Sequence, residues 1–133
     1  MAKIKHIAIA TQEPEKTARF YKEVFNLREV GKVSSDTAEG YYLTDGHINL
    51  AILRFKSEAV AGREFGTGYS GIHHIGFQVE DAPATDAKLR NANSLPRDDI
   101  NAALRNGTGQ GHNGRNVELK YSAPDGVRID ISK

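Results

Sequence analysis

Lys5-His6-Ile7-Ala8-Ile9 near the start and His73-His74-Ile75-Gly76-Phe77 past the middle are one pattern written twice, with His6 and His74 standing 68 residues apart. Each copy alternates apolar residues at the period of a strand, and each leads to a proline-marked helix start, Glu13-Pro14 and then Asp81-Ala82-Pro83. Proline suits a first helical turn because its missing N–H would be unpaired there anyway. Each half also closes on an Asp-Gly turn followed by an alternating strand, Asp45-Gly46 and Asp125-Gly126. The order strand, helix, strands therefore occurs twice. This predicts module 1 at about 1–61, a Gly-rich connector at 62–71 and module 2 at about 72–133.

In the first helix Ala18, Tyr21 and Phe25 recur at helical spacing, with Thr17, Phe20 and Val24 on an adjoining row, and together they predict one broad apolar face. Asn26 suits the left-handed residue that stops it. Strands follow at about Arg28–Val33, Gly40–Leu43 and Ile48–Leu53. The second helix, about Pro83–Asn91, is weaker, and a short helix is expected at Asp98–Leu104 within the irregular stretch Asn93–Arg115. Two strands, about Asn116–Tyr121 and Val127–Ser132, end the chain.

Composition narrows the chemistry. The chain has 133 residues, long enough to bury a core without disulfides. It has no cysteine, which removes thiolate nucleophiles and Cys-ligated zinc. The 18 basic and 17 acidic residues give a net charge of +1 and form no long basic run, so nucleic acid is not an expected partner. No apolar run approaches the roughly twenty residues of a membrane helix. A soluble, cytoplasmic protein with no membrane partner is the expectation.

Strand alternation assigns faces. One side carries Ile7 and Ile9, Leu50 and Ile52, Ile75 and Phe77, Ile129 and Ile131; the other offers His6, Asn49, His74 and Asp130. If the halves pair as pseudo-symmetric units, those four converge. Two imidazoles, a carboxylate and a fourth polar group suit a divalent ion such as Fe, Mn, Ni, Co or Zn.

The repeated pattern, the helix Ala18-Arg19-Phe20-Tyr21-Lys22-Glu23-Val24-Phe25-Asn26-Leu27 and the closing Ala123-Pro124-Asp125-Gly126-Val127-Arg128-Ile129-Asp130 stand in the right order to resemble the vicinal oxygen chelate superfamily. That superfamily includes glyoxalase I, methylmalonyl-CoA epimerase, extradiol dioxygenases and the fosfomycin and bleomycin resistance proteins. The resemblance implies an α+β fold of two pseudo-symmetric βαβββ modules forming a curved mixed sheet around a cleft, commonly completed in a homodimer. It puts metal ligands at His6, His74 and Asp130, with Asp where the family usually has Glu. The fourth-strand ligand, Glu or Gln in glyoxalases and epimerases, falls on or near Asn49. His47, two residues earlier, is a substitute.

The function this implies is a divalent-metal-dependent, glyoxalase-like lyase or isomerase acting on a small substrate chelated through vicinal oxygens. Either Asp130 serves as ligand and base together, or His47 is the base, histidine being the side-chain type whose ordinary pKa lies nearest neutrality. Two alternatives stand beside it. His6, His74 and Asp130 also match the facial triad of an Fe(II)-dependent extradiol-type dioxygenase, although most such enzymes carry two double modules per chain. A metal-free protein that sequesters an antibiotic or another small molecule would fit Asn49 and the Asp-for-Glu change.

Arg128 shares the face of Asp130 and could bind an anionic substrate group. Tyr41 and Tyr42 alternate, so one faces the cleft, and Tyr42 is the candidate substrate contact. His73 points away from His74 and reads as structural, His112 as a surface residue of a Gly-rich loop, and Glu118 with Lys120 as a surface pair. Gly107–Gly111 lacks the ending of a phosphate loop.

Overall fold

The computed structural model describes residues 1–105 and 118–133; Gly107–Gly111 and His112 lie outside the described residues. The elements are β1 (Lys3–Ala10), α1 (Pro14–Phe25), β2 (Arg28–Ser34), β3 (Ala38–Thr44), β4 (Asn49–Phe55), α2 (Glu58–Ala61), β5 (Gly71–Gln78), α3 (Ala82–Asn91), α4 (Asp98–Ala103), β6 (Leu119–Ser122) and β7 (Arg128–Ser132), an α+β set. Lys5–His73 form one unit, and Met1–Ile4 with His74–Lys133 form the other.

In the first unit the strand order is β2-β3-β4-β1. β1 runs parallel to β4, whereas β3 is antiparallel to both β4 and β2. Pro14 opens α1, Thr11 Oγ1 accepts from the Glu13 N–H at 3.1 Å, and Asn26 at φ 59° ends the helix. The small Ala18 lets α1 sit against Leu43 and Ile52, with Ile9, Tyr21, Tyr41 and Leu50 around them. The expected broad apolar face is narrower than its sequence pattern. Phe20 and Val24 lie on the row rotated away from Ala18, and Phe25 is the last helical residue; all three remain more than half exposed.

The opposite face of this sheet packs Ala8, Ala51 and Leu53 with Val33, Tyr42 and Phe55. Alternation therefore assigned Tyr41 and Tyr42 to opposite sides, Tyr41 under α1. The connector is more built than its glycines suggest. Ser57 caps the short α2, accepting from the Val60 N–H at 3.4 Å, and Gln12 donates to the carbonyls of Thr67 and Tyr69. The buried His73 ring stacks on Phe55 and lies tilted against Phe65, and its Nε2 lies 2.8 Å from the Ala61 carbonyl.

In the second unit the order is β5-β7-β6, with β5 parallel to β7 and β6 antiparallel to it. Asp81 caps α3, accepting from the Ala84 N–H at 3.0 Å. The apolar face of α3, Ala82 and Leu89, covers Val79, Tyr121 and Ile131 together with Phe77 and Ile129. The parallel-then-antiparallel sequence β1-β4-β3 is thus repeated by β5-β7-β6. Among the described residues, no helix is long and apolar enough to cross a membrane.

Candidate metal centre and its lysine

The register of β5, β7 and β6 collects four polar side chains in the second unit. Gly76 pairs with Asp130, and Asp130 pairs with Lys120 on its other side. His74, two residues before Gly76 on β5, therefore shares a face with Asp130, and its Nε2 lies 3.3 Å from Asp130 Oδ2. Both side chains are buried, Asp130 with no exposed surface. Two donors bound to one ion at about 2.0–2.2 Å stand about 3–3.5 Å apart. An imidazole nitrogen and a carboxylate oxygen with this spacing fit a divalent ion.

The same carboxylate oxygen already accepts a hydrogen bond from Lys120 Nζ at 2.5 Å, and Glu118 Oε2 lies 3.6 Å from that ammonium. The expectation of a surface pair at Glu118 and Lys120 is corrected here: Lys120 is 5% exposed, because the hairpin aligns it with Asp130 on an inward face. Burial alone would lower its pKa, but the charges and hydrogen bonds of Asp130 and Glu118 outweigh that and hold it above the ordinary lysine value. The ammonium is therefore charged at neutral pH.

Lys120 is held in position through its backbone. The buried Asn101 of α4 accepts from the Lys120 N–H at 2.8 Å and donates to the Lys120 carbonyl at 3.1 Å, so its amide imitates a neighbouring strand. The Arg97 N–H donates to the same carbonyl at 2.8 Å. Sequence reasoning singled out neither Asn101 nor the inward course of Lys120. Arg128, opposite Ser122 in the ladder, is also buried, and burial pushes its pKa down to about 10, still cationic at neutral pH.

The first unit repeats the strand geometry with other residues. His6 pairs with Asn49 across the parallel β1/β4 ladder, and Ala8 pairs with Ala51. Ala8 corresponds to Gly76 in the sequence repeat, so Ala51 holds the register position that Asp130 holds in the second unit. The Tyr42 ring belongs to the Ala8 and Ala51 face, where Tyr42 pairs with Ala51. His47 does not lie on β4, which begins at Asn49. It is exposed in the preceding turn, where Asp45 Oδ1 accepts from the backbone N–H groups of His47 and Ile48 at 2.8 and 2.9 Å. Those bonds hold the Asp45 carboxyl below its ordinary pKa, the Ile48 N–H contributing most.

No curated protein matches the chain. Among solved structures, a hypothetical protein from Bacillus halodurans C-125 superposes with a TM-score of 0.73 at 19% identity, covering 98% of this chain and 93% of that one. A Streptomyces coelicolor methylmalonyl-CoA epimerase variant in complex with 2-nitronate-propionyl-CoA gives 0.68 at 21% identity, with 97% and 92% covered. The methylmalonyl-CoA epimerase from Mycobacterium tuberculosis gives 0.65 at 15%, with 97% and 85% covered. At these identities the likeness shows the fold, and it extends over nearly the whole chain. The family match runs over residues 3–131, and by it the chain belongs to the Glyoxalase/Bleomycin resistance protein/Dioxygenase superfamily.

Proposed function

We propose that this chain is a divalent-metal-dependent enzyme of the vicinal oxygen chelate type, a glyoxalase-like lyase or isomerase acting on a small molecule chelated through adjacent oxygens. The observation that carries this reading is the buried His74–Asp130 pair with its 3.3 Å spacing. Family membership and the epimerases among the structural likenesses support the same class. In this reading His6, His74 and Asp130 hold the ion. Asn49 is at most a weak outer donor, since the register counterpart of Asp130 on β4 is Ala51.

When bound, the ion supplies Lewis-acid polarisation of the chelated oxygens. The protein's own groups do the rest. Arg128, cationic and buried, offers a planar fork to an anionic substrate group. Tyr42 supplies an aromatic wall. His47 is the proton acceptor we assign, since in this reading Asp130 is taken up as a ligand of the ion. The proposal also includes a homodimer, a cytoplasmic location, and neither nucleic acid nor membrane as partner.

Metal content decides the matter. Protein purified without a His tag should hold near-stoichiometric divalent metal by elemental analysis, and His6→Ala and His74→Ala should each abolish it. Full retention in both variants would falsify the assignment. A second reading, a metal-free small-molecule binding protein, is favoured by one observation: Lys120 already neutralises Asp130. Metal absent from wild type, with a small ligand still raising the melting temperature, would select it. Oxygen consumption with a catechol-type substrate after anaerobic Fe(II) loading would select the dioxygenase instead.

A further inference from the structure

The ammonium of Lys120 and a divalent ion would have the same anchor. Nζ sits 2.5 Å from Asp130 Oδ2, the oxygen that faces His74 Nε2 at 3.3 Å, and it also sits 3.6 Å from Glu118 Oε2. We infer that Lys120 is a built-in competitor for the metal site: it occupies Asp130 in the metal-free protein and shifts toward Glu118 when an ion takes the carboxylate. This rests on the reading of His74 and Asp130 as metal ligands.

Three features make the lysine part of the site rather than a bystander. Its backbone is fixed from α4 by both ends of the Asn101 amide and by the Arg97 N–H, so its place beside Asp130 is specified. Its side chain is buried, so water screens the charge poorly and repulsion of a nearby divalent ion is strong. Finally, two carboxylates flank one ammonium. With His74 neutral, Asp130, Glu118 and Lys120 sum to one negative charge; without the lysine they would sum to two. Lys120 thus weakens the attraction for a cation, while Glu118 gives the displaced ammonium a partner and keeps the exchange from leaving an unpaired buried charge.

The test uses the full chain, stripped with chelator and titrated with Ni²⁺ or Zn²⁺ by calorimetry, with Co²⁺ absorption reporting the ligand field. Lys120→Met, which keeps the stem and removes the charge, should bind about tenfold or more tightly than wild type. Lys120→Arg should bind as wild type does. Glu118→Gln, lacking the receiving carboxylate, should bind about threefold or more weakly. Native circular dichroism is checked for each variant. A folded Lys120→Met with unchanged or weaker affinity overturns the inference. If Lys120→Met does not fold, a Glu118→Gln affinity equal to wild type overturns it instead. Failure of the underlying reading is a separate result: no ion bound by any variant, or binding that His74→Ala leaves intact, removes the metal centre itself.

Discussion

The two units place the same three-strand ladder under very different side chains. Across β1, β4 and β3 one row reads Ala8, Ala51, Tyr42; the corresponding row across β5, β7 and β6 reads Gly76, Asp130, Lys120. One unit filled its row with small apolar residues and an aromatic ring, the other with a buried ion pair. The backbone repeat therefore constrains where a side chain points and leaves its chemistry open. The histidines on both first strands, His6 and His74, mark what the halves share, and the Asp130–Lys120 pair marks where they differ.

The contrast breaks hardest at Asp130. Removing one partner of a buried ion pair strands the other charge, so Asp130→Ala should lower stability by about 3–5 kcal/mol. The double variant Asp130→Ala with Lys120→Met, which makes this row apolar like its counterpart, should recover most of that loss in urea unfolding. A single variant as stable as wild type would mean that the pair carries no energetic weight. The first unit should fail differently, through space rather than charge. A Cβ on Gly40 would lie 1.8 Å from the Ile52 carbonyl oxygen of the adjacent strand. Gly40→Ala should cost at least about 3 kcal/mol by urea unfolding, since neither backbone can yield without breaking the β3/β4 ladder. An unchanged midpoint would show that the ladder there is loose.

Periodicity made the repeat, α1 and the two-sided strands legible, because alternation is a local property and apolar side chains recur wherever a face is covered. It also put Ile129 with Ile131 and Asp130 with Arg128 on opposite sides before any contact was known. Lys120 was misread for want of register. The hairpin around Pro124-Asp125-Gly126 pairs Ser122 with Arg128, and from that pairing Lys120 must meet Asp130. The alternation of Glu118, Lys120 and Ser122 held the signal, but the pairing that gives it meaning is a tertiary fact. Asn101 was beyond reach for a similar reason, since an amide that imitates a strand has no sequence period. The placement of His47 on the fourth strand erred in the other direction: the Asp45 turn extends to Ile48, so alternation was applied one residue pair too early.

A polar contact on the apolar face of the second unit sharpens the comparison at the smallest scale. Tyr121, 1% exposed, donates its phenol hydrogen to Asp86 Oδ1 of α3 at 2.5 Å, whereas its register counterpart on β3, Leu43, has no polar side-chain atom to offer α1. The hydrogen bond from Tyr121, then that from Arg90, holds the Asp86 carboxyl below its ordinary pKa. Burial first, and the Asp86 contact second, push the phenol above its own. A lowered carboxyl pKa stabilises the fold above the unfolded value of about 3.9 and loses that contribution as pH falls through the folded value. A raised phenol pKa stabilises below about 10 and loses its contribution as pH climbs through the folded value. Tyr121→Phe removes the phenol linkage and the Tyr121 share of the Asp86 linkage, leaving the Arg90 share, so it should cost about 1–2 kcal/mol near pH 7. The gap between variant and wild type should narrow below about pH 4 and again above about pH 10. Chemical denaturation of the pair across that range measures the gap directly, and a gap that stays constant with pH would mean that the hydroxyl acts only by filling space.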